Sequence, residues 1–169
     1  MKKVLPALLL IACGAAMAAD PGSLDKKDRA FMEKAAAGGM LEVQAGKLAQ
    51  DKGRNADVKS FGSMLTTDHA AANEELKSLA QKKGVTLPST LPGKEQKKLD
   101  QLARAKDFDK NFMHEQGLQD HQQDIKDFQK ASKNAKDPDV KAFAEKELPT
   151  LHKHLQRAEE ITKELKGKA

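Results

Sequence analysis

Four stretches of this chain repeat apolar residues at three- and four-residue intervals, each for roughly 28 residues between a polar cap and a stop signal. Patterns of that period and length leave one economical solution, in which four helices bury their stripes against one another. In the first stretch Phe31, Ala35, Gly38, Glu42, Ala45 and Ala49 share a face, with Ser23 as the expected cap, a start near Leu24 and Gly53 as the stop. This is a thin stripe of small residues with one carboxylate inside it. Gly38 and Gly39 weaken the helix by about 1 kcal/mol each relative to Ala, so they imply close packing or room for a side chain opposite.

Asn55 caps the second stretch, whose buried face is Val58, Phe61, Leu65, Ala72, Leu76 and Leu79. Asp68 and His69 fall in the gap between Leu65 and Ala72, and Lys82, Lys83 and Gly84 form the stop. Residues 84–106 hold Pro88, Pro92 and Gly93, then a short amphipathic piece with Leu99 and Leu102. That is too long for a helical hairpin and long enough to run back along a bundle. Asp107 caps the third stretch, in which His114, Leu118, His121, Ile125 and Phe128 are expected to form the core seam. Asp137 followed by Pro138 opens the fourth, with Val140, Phe143, Ala144, Leu148, Leu151, Leu155, Ala158 and Leu165 on its apolar face. Pro149 lies inside it and predicts a kink, because it offers no N–H to the carbonyl of Glu145. An internal echo runs through this layout. Asn55 to Phe61 resembles Asp137 to Phe143 at an offset of 82, and Phe31-Met32 resembles Phe112-Met113 at an offset of 81, as in a duplicated helical hairpin.

The start of the chain reads differently. Met1-Lys2-Lys3 is basic, Val4 to Ala12 is apolar but too short to span a bilayer, and Ala16-x-Ala18 fits a signal-peptidase site. Residues 1–18 are therefore expected to be a signal peptide and residues 19–169 a single helical domain in the periplasm, with no transmembrane segment once the signal is removed. Leu10-Ile11-Ala12-Cys13 also fits the four-residue pattern of lipoprotein processing, so a lipid anchor through Cys13 is the alternative. After signal removal 28 basic residues face 25 acidic ones, a net charge of +3 spread along the chain. With no Trp or Tyr to stack on bases and no dense basic run, nucleic acid is excluded as a partner. A protein partner or a homo-oligomer is left open by these features.

Depth along the helices singles out the chemistry-bearing residues. His69 and His121 lie about 14 residues from their helix starts, and His152 and His154 about 15 to 17, all roughly 21 to 26 Å along. Glu42 lies within about a turn of the same level. One carboxylate and three imidazoles are thus expected to face inward together, with His114 two turns away. A buried, unpaired ionised group costs several kcal/mol, on the order of 3–5. Two arrangements answer that cost: a hydrogen-bonded polar layer, with Asp68 and Asp120 orienting imidazoles, or one transition-metal ion held by Glu42, His69, His121 and His154. No Glu-x-x-His occurs anywhere in the chain, which disfavours di-iron oxidase chemistry.

Several of these residues carry a family resemblance. Phe31, Glu42-Val43, Gly46-x-Leu48-Ala49, Val58-Lys59-x-Phe61, Met64, Asp68-His69 with Ala72-Asn73, Phe108-Asp109, Asp120-His121, Leu148-Pro149-x-Leu151 and His154-Leu155 occur in this order over residues 24–166. The sequence thereby resembles the bacterial family of exported ferritin-like proteins called domain of unknown function 4142. The resemblance implies an all-α, ferritin-like four-helix bundle in the cell envelope, with a long connection containing a short helix between helices 2 and 3. It implies no established reaction. Glu42, His69, His121 and His154 are the positions it carries over, His114 and His152 are peripheral, and Phe112 stands where a tyrosine is expected. The leading functional expectation is a non-enzymatic, stress-related periplasmic bundle with a polar layer suited to one metal. The alternatives are a metal-dependent oxidoreductase acting on peroxide and an envelope protein-interaction module.

Overall fold

The computed structural model describes residues 24–167. The expected signal peptide, Cys13 and Ser23 lie outside the described residues. Helix α1 (Lys26–Lys52) is capped by Asp25, whose carboxylate accepts from the Lys27 N–H at 2.9 Å. Asn55 caps α2 (Ala56–Lys82) as its sequence predicts, accepting from the N–H groups of Asp57 and Val58 at 2.7 and 3.4 Å. Gly84 then turns the chain with φ 64°, a left-handed conformation that costs glycine nothing. The connection contains α3 (Gly93–Ala103). The third long rod is α4 (Phe108–Phe112), capped by Asp107, then a π-helical segment (Met113–Asp120), then α5 (His121–Asn134). Finally α6 (Pro138–Gly167) starts on Asp137, whose side chain accepts from Asp139 and Val140 at 2.9 and 3.2 Å, and it continues through Pro149. The fold is all-helical, with no strand among the described residues.

Close packing sets the spacing of α1 and α2. A Cβ on Gly46 would stand 2.5 Å from the Gly62 carbonyl oxygen, and one on Gly62 would stand 2.6 Å from that of Gly46. The two backbones touch there, and only glycine allows it. Gly39 makes room for the Asn73 amide, whose oxygen would lie 2.2 Å from an added Cβ. Two apolar clusters result. One gathers Met32, Leu76, Phe128, Val140, Phe143 and Leu151; the other gathers Phe61, Leu65, Phe112, Met113, Ala158 and Ile161. On each long rod one buried ionisable residue falls between them in sequence: Glu42, His69, His121 and His154.

The echo between the two halves has a structural counterpart. Asp109 accepts from the N–H groups of Arg54 and Asn55 in the first hairpin loop, at 3.1 and 2.8 Å. Asp28, only 3% exposed, accepts from Lys136 and Asp137 in the second loop, at 3.0 and 2.8 Å. Each hairpin thus caps the loop of the other. The paired aspartates are 81 residues apart and the paired loops 82. One extra residue therefore sits in the second half, between Met113 and Asp137. The π segment lies in that interval, and a π turn absorbs one added residue without ending a helix. It also rotates the face that precedes it. Met113, Gln116 and Gly117 are buried there, and His114, expected in the seam, is exposed beside Glu115.

Candidate metal centre

His69 comes from α2, His121 from the first turn of α5, and His154 from the middle of α6. All three are buried, His121 and His154 completely, and one nitrogen of each lies within 4.8 Å of the others. The ring centroids are 5.2 to 5.7 Å apart, and Phe61 covers His121 and His154 at 6.2 and 6.3 Å. His152, at nearly the same depth in α6, points to solvent.

Hydrogen bonds behind the rings decide which nitrogen carries a proton. The Nδ1 of His121 is 2.7 Å from the Gln116 carbonyl, five residues back. A carbonyl only accepts, so Nδ1–H donates and Nε2 keeps a lone pair. The Nε2 of His154 is 2.9 Å from Asp68 Oδ2, so Nε2–H donates and Nδ1 keeps its lone pair. Those two lone-pair nitrogens then face each other at 3.1 Å. Between neutral imidazoles that contact is repulsive unless a proton or a metal ion joins them. His69 Nε2, closed to water, has no hydrogen-bond partner at all.

The electrostatics keep the rings neutral. Burial pushes the His69 imidazole well below its usual range, and the neighbouring His121 and His154 add to the shift. Burial also takes His121 down to about 4, against the pull of the Gln116 carbonyl. His154 is lowered by burial too, with Asp68 opposing. Neutral imidazoles are what a metal requires of its ligands.

Glu42 falls outside this group. It is 1% exposed, and neither carboxylate oxygen has a partner. Burial pushes its carboxyl well above the usual range, and the charges of Asp120 and Asp124 push further. Asp120 orients no imidazole; its Oδ1 takes the Lys98 ammonium at 2.6 Å, and its Oδ2 is unpartnered. Burial likewise raises Asp124, to about 7, followed by Asp120 and Asp127. The support expected of Asp120 is supplied instead by the Gln116 carbonyl. Helical periodicity could not reveal that carbonyl, because it is set by the π turn; the step in repeat offset from 81 to 82 was its one trace in the sequence.

The profile of the family described as Domain of unknown function (DUF4142) matches residues 13–161. No curated protein matches the chain. Among solved structures, CopM in its Cu(I)-bound form is similar with a TM-score of 0.69 at 18% identity, over 82% of this chain and 96% of CopM. CopM in its Cu(II)-bound form gives 0.69 at 16%, over 82% and 97%. A DUF305 fragment from Deinococcus radiodurans gives 0.72 at 9%, over 83% and 98%. At these identities the likeness is one of fold. No described helix is long and apolar enough to cross a membrane.

Proposed function

The chain belongs to the DUF4142 family, and we propose that it is an exported, ferritin-like four-helix bundle that binds one transition-metal ion, copper, through His69, His121 and His154. The observation that carries this reading is the inward set of three neutral nitrogens, two of them with their tautomers fixed from behind. A carboxylate or carbonyl holding the far side of a ligating imidazole is the usual support of a histidine metal site. A hydrogen-bonded polar layer with no metal would have no reason to leave His69 Nε2 unpartnered at a cost of about 1–3 kcal/mol.

Imidazole ligands suit copper, zinc, iron and nickel. Charge favours Cu(I) among them. The three ligands are neutral and Asp68 is the one carboxylate bonded to them, so a monovalent ion is balanced and a divalent one leaves a buried excess charge. CopM, a fold relative, has both a Cu(I)-bound and a Cu(II)-bound form, which supports copper as the metal without choosing its oxidation state. On this reading the copper is cargo, held against release in the periplasm under metal stress, and the protein catalyses no turnover. Glu42, whose carboxyl burial raises, is structural and outside the ligand set.

The test is metal content and affinity. Protein made with its natural leader in copper-replete cells is expected to carry one copper per chain, and Cu(I) is expected to displace Zn(II) in competition. Copper retained at wild-type level after His121→Phe, in a variant that is still folded by circular dichroism, would refute the assignment.

A further inference from the structure

Resting on that reading of the histidine centre, a partly enclosed cavity between α1, α2, α5 and α6 acquires a role. About 30 Å³ of it is open to the centres of water-sized molecules, enough for roughly two waters. His69 and His154 line its buried end, and Glu147, Asp68, Asn73 and Thr150 line its half-buried end. Asp124 joins from the α5 side. No lysine or arginine contributes to the lining.

We propose that this cavity is the route by which the cation reaches and leaves the three histidines, and that Glu147 is the group that draws it in. The placement argues for a route over a ligand-binding pocket. The space is too small for an organic molecule, and its carboxylates would repel anions. A cation passing from Glu147 to Asp68 meets at each point an oxygen that can replace part of its water shell. Asp68 then leads to His154, to which it is hydrogen-bonded at 2.9 Å. Burial raises the Glu147 carboxyl first, then the charge of Glu75, with the Lys146 ammonium opposing and Asp68 adding. Glu147 is not within reach of the three ligand nitrogens as a fourth ligand in this arrangement. Its effect is on rate.

The test uses Co(II), whose visible absorption reports occupancy, mixed with the folded full-length mature protein in a stopped-flow instrument at low ionic strength. Association is expected to slow about three-fold in Glu147→Gln and about ten-fold in Glu147→Lys, with the bound spectrum unchanged. The differences should vanish near 1 M salt, where the Debye length is about 3 Å. Glu159→Lys, an exposed change elsewhere on α6, should leave the rate as in wild type. Ala72→Met, which adds bulk in the cavity without charge, should slow association and dissociation together at every salt concentration. Wild-type rates in both Glu147 variants, or equal slowing by Glu159→Lys, would overturn the route while leaving the centre intact. Failure of the wild-type protein to take up Co(II) and Cu(I) alike would remove the centre and the route together; uptake of Cu(I) alone moves the same rate comparison to Cu(I) delivered from a chelator.

Discussion

Two buried polar groups lie side by side in this molecule, and they are built on opposite principles. The three histidines are neutral, two are held from behind by hydrogen bonds, and their free lone pairs converge. Glu42, Asp120 and Asp124 are acids that repel one another, with the Lys98 ammonium bonded to one of them and three oxygens left without partners in the pair Glu42 and Asp120. Burial alone therefore does not make a site. What separates the two groups is whether the surroundings fix a usable lone pair or merely penalise a charge.

The largest test of that contrast is substitution on each side. His121→Phe and His154→Phe should each weaken copper binding by at least about 100-fold, since each removes a ligand and leaves its supporting group idle; isothermal titration with Cu(I) held by a competing chelator measures it. Glu42→Gln should leave the affinity within about two-fold, because an outer residue with no bond to a ligand has little to transmit. A large loss on the carboxylate side would erase the distinction.

Next in size is Asp68→Asn, read in the same titration. The carboxamide can still accept from His154 Nε2–H but carries no charge, so affinity should fall about 10- to 100-fold with the fold intact. Asp120→Asn, whose side chain serves Lys98, should show no such loss.

Stability against pH should then split the two groups by sign. Glu42 has a raised carboxyl in the folded chain, so the folded state binds the extra proton from about 4.5 upward. Its contribution is fully present below 4.5 and is lost as pH rises through the folded value, with a slope of up to about 1.4 kcal/mol per pH unit. Urea unfolding of Glu42→Gln should lack that alkaline loss. The histidines are depressed, so their neutral burial favours folding above 6.5 and loses its effect as pH falls toward about 4 for His121. Metal-free wild type should show both flanks, and His121→Phe a shallower acid one. The smallest effect is expected from Gly117→Ala. Its Cβ would lie 3.0 Å from Ala158 Cβ and Met113 Cε, and a loss of about 1 kcal/mol in the same urea assay, with weaker copper binding, would mark the π segment as part of the site.

Much of this was legible from residue spacing. The caps Asn55, Asp107 and Asp137 act where helix-start chemistry places them, and counting residues from those caps brings His69, His121 and His154 to one level. Depth alone could not choose between His152 and His154, because two residues apart on a helix means opposite faces and only packing decides which faces inward. His114 was misplaced for a different reason. A strict 3.6-residue period puts it in line with His121, but the extra residue in the third rod turns that line aside. The same insertion leaves the Gln116 carbonyl for His121, a contact that involves no side chain of Gln116 and so leaves no mark in residue type. Glu42 was legible as buried, though its separation from the histidines depends on which rods meet, which spacing along one helix does not encode.

Anomalous diffraction at the copper edge, from crystals of the native protein loaded with Cu(I), tests the central claim most directly. One strong peak is expected about 2.0 Å from a nitrogen of each of His69, His121 and His154, a normal metal–imidazole distance. A peak bound elsewhere, beside Glu42 or on the exposed His114 and His152, with none among the three rings, would contradict it.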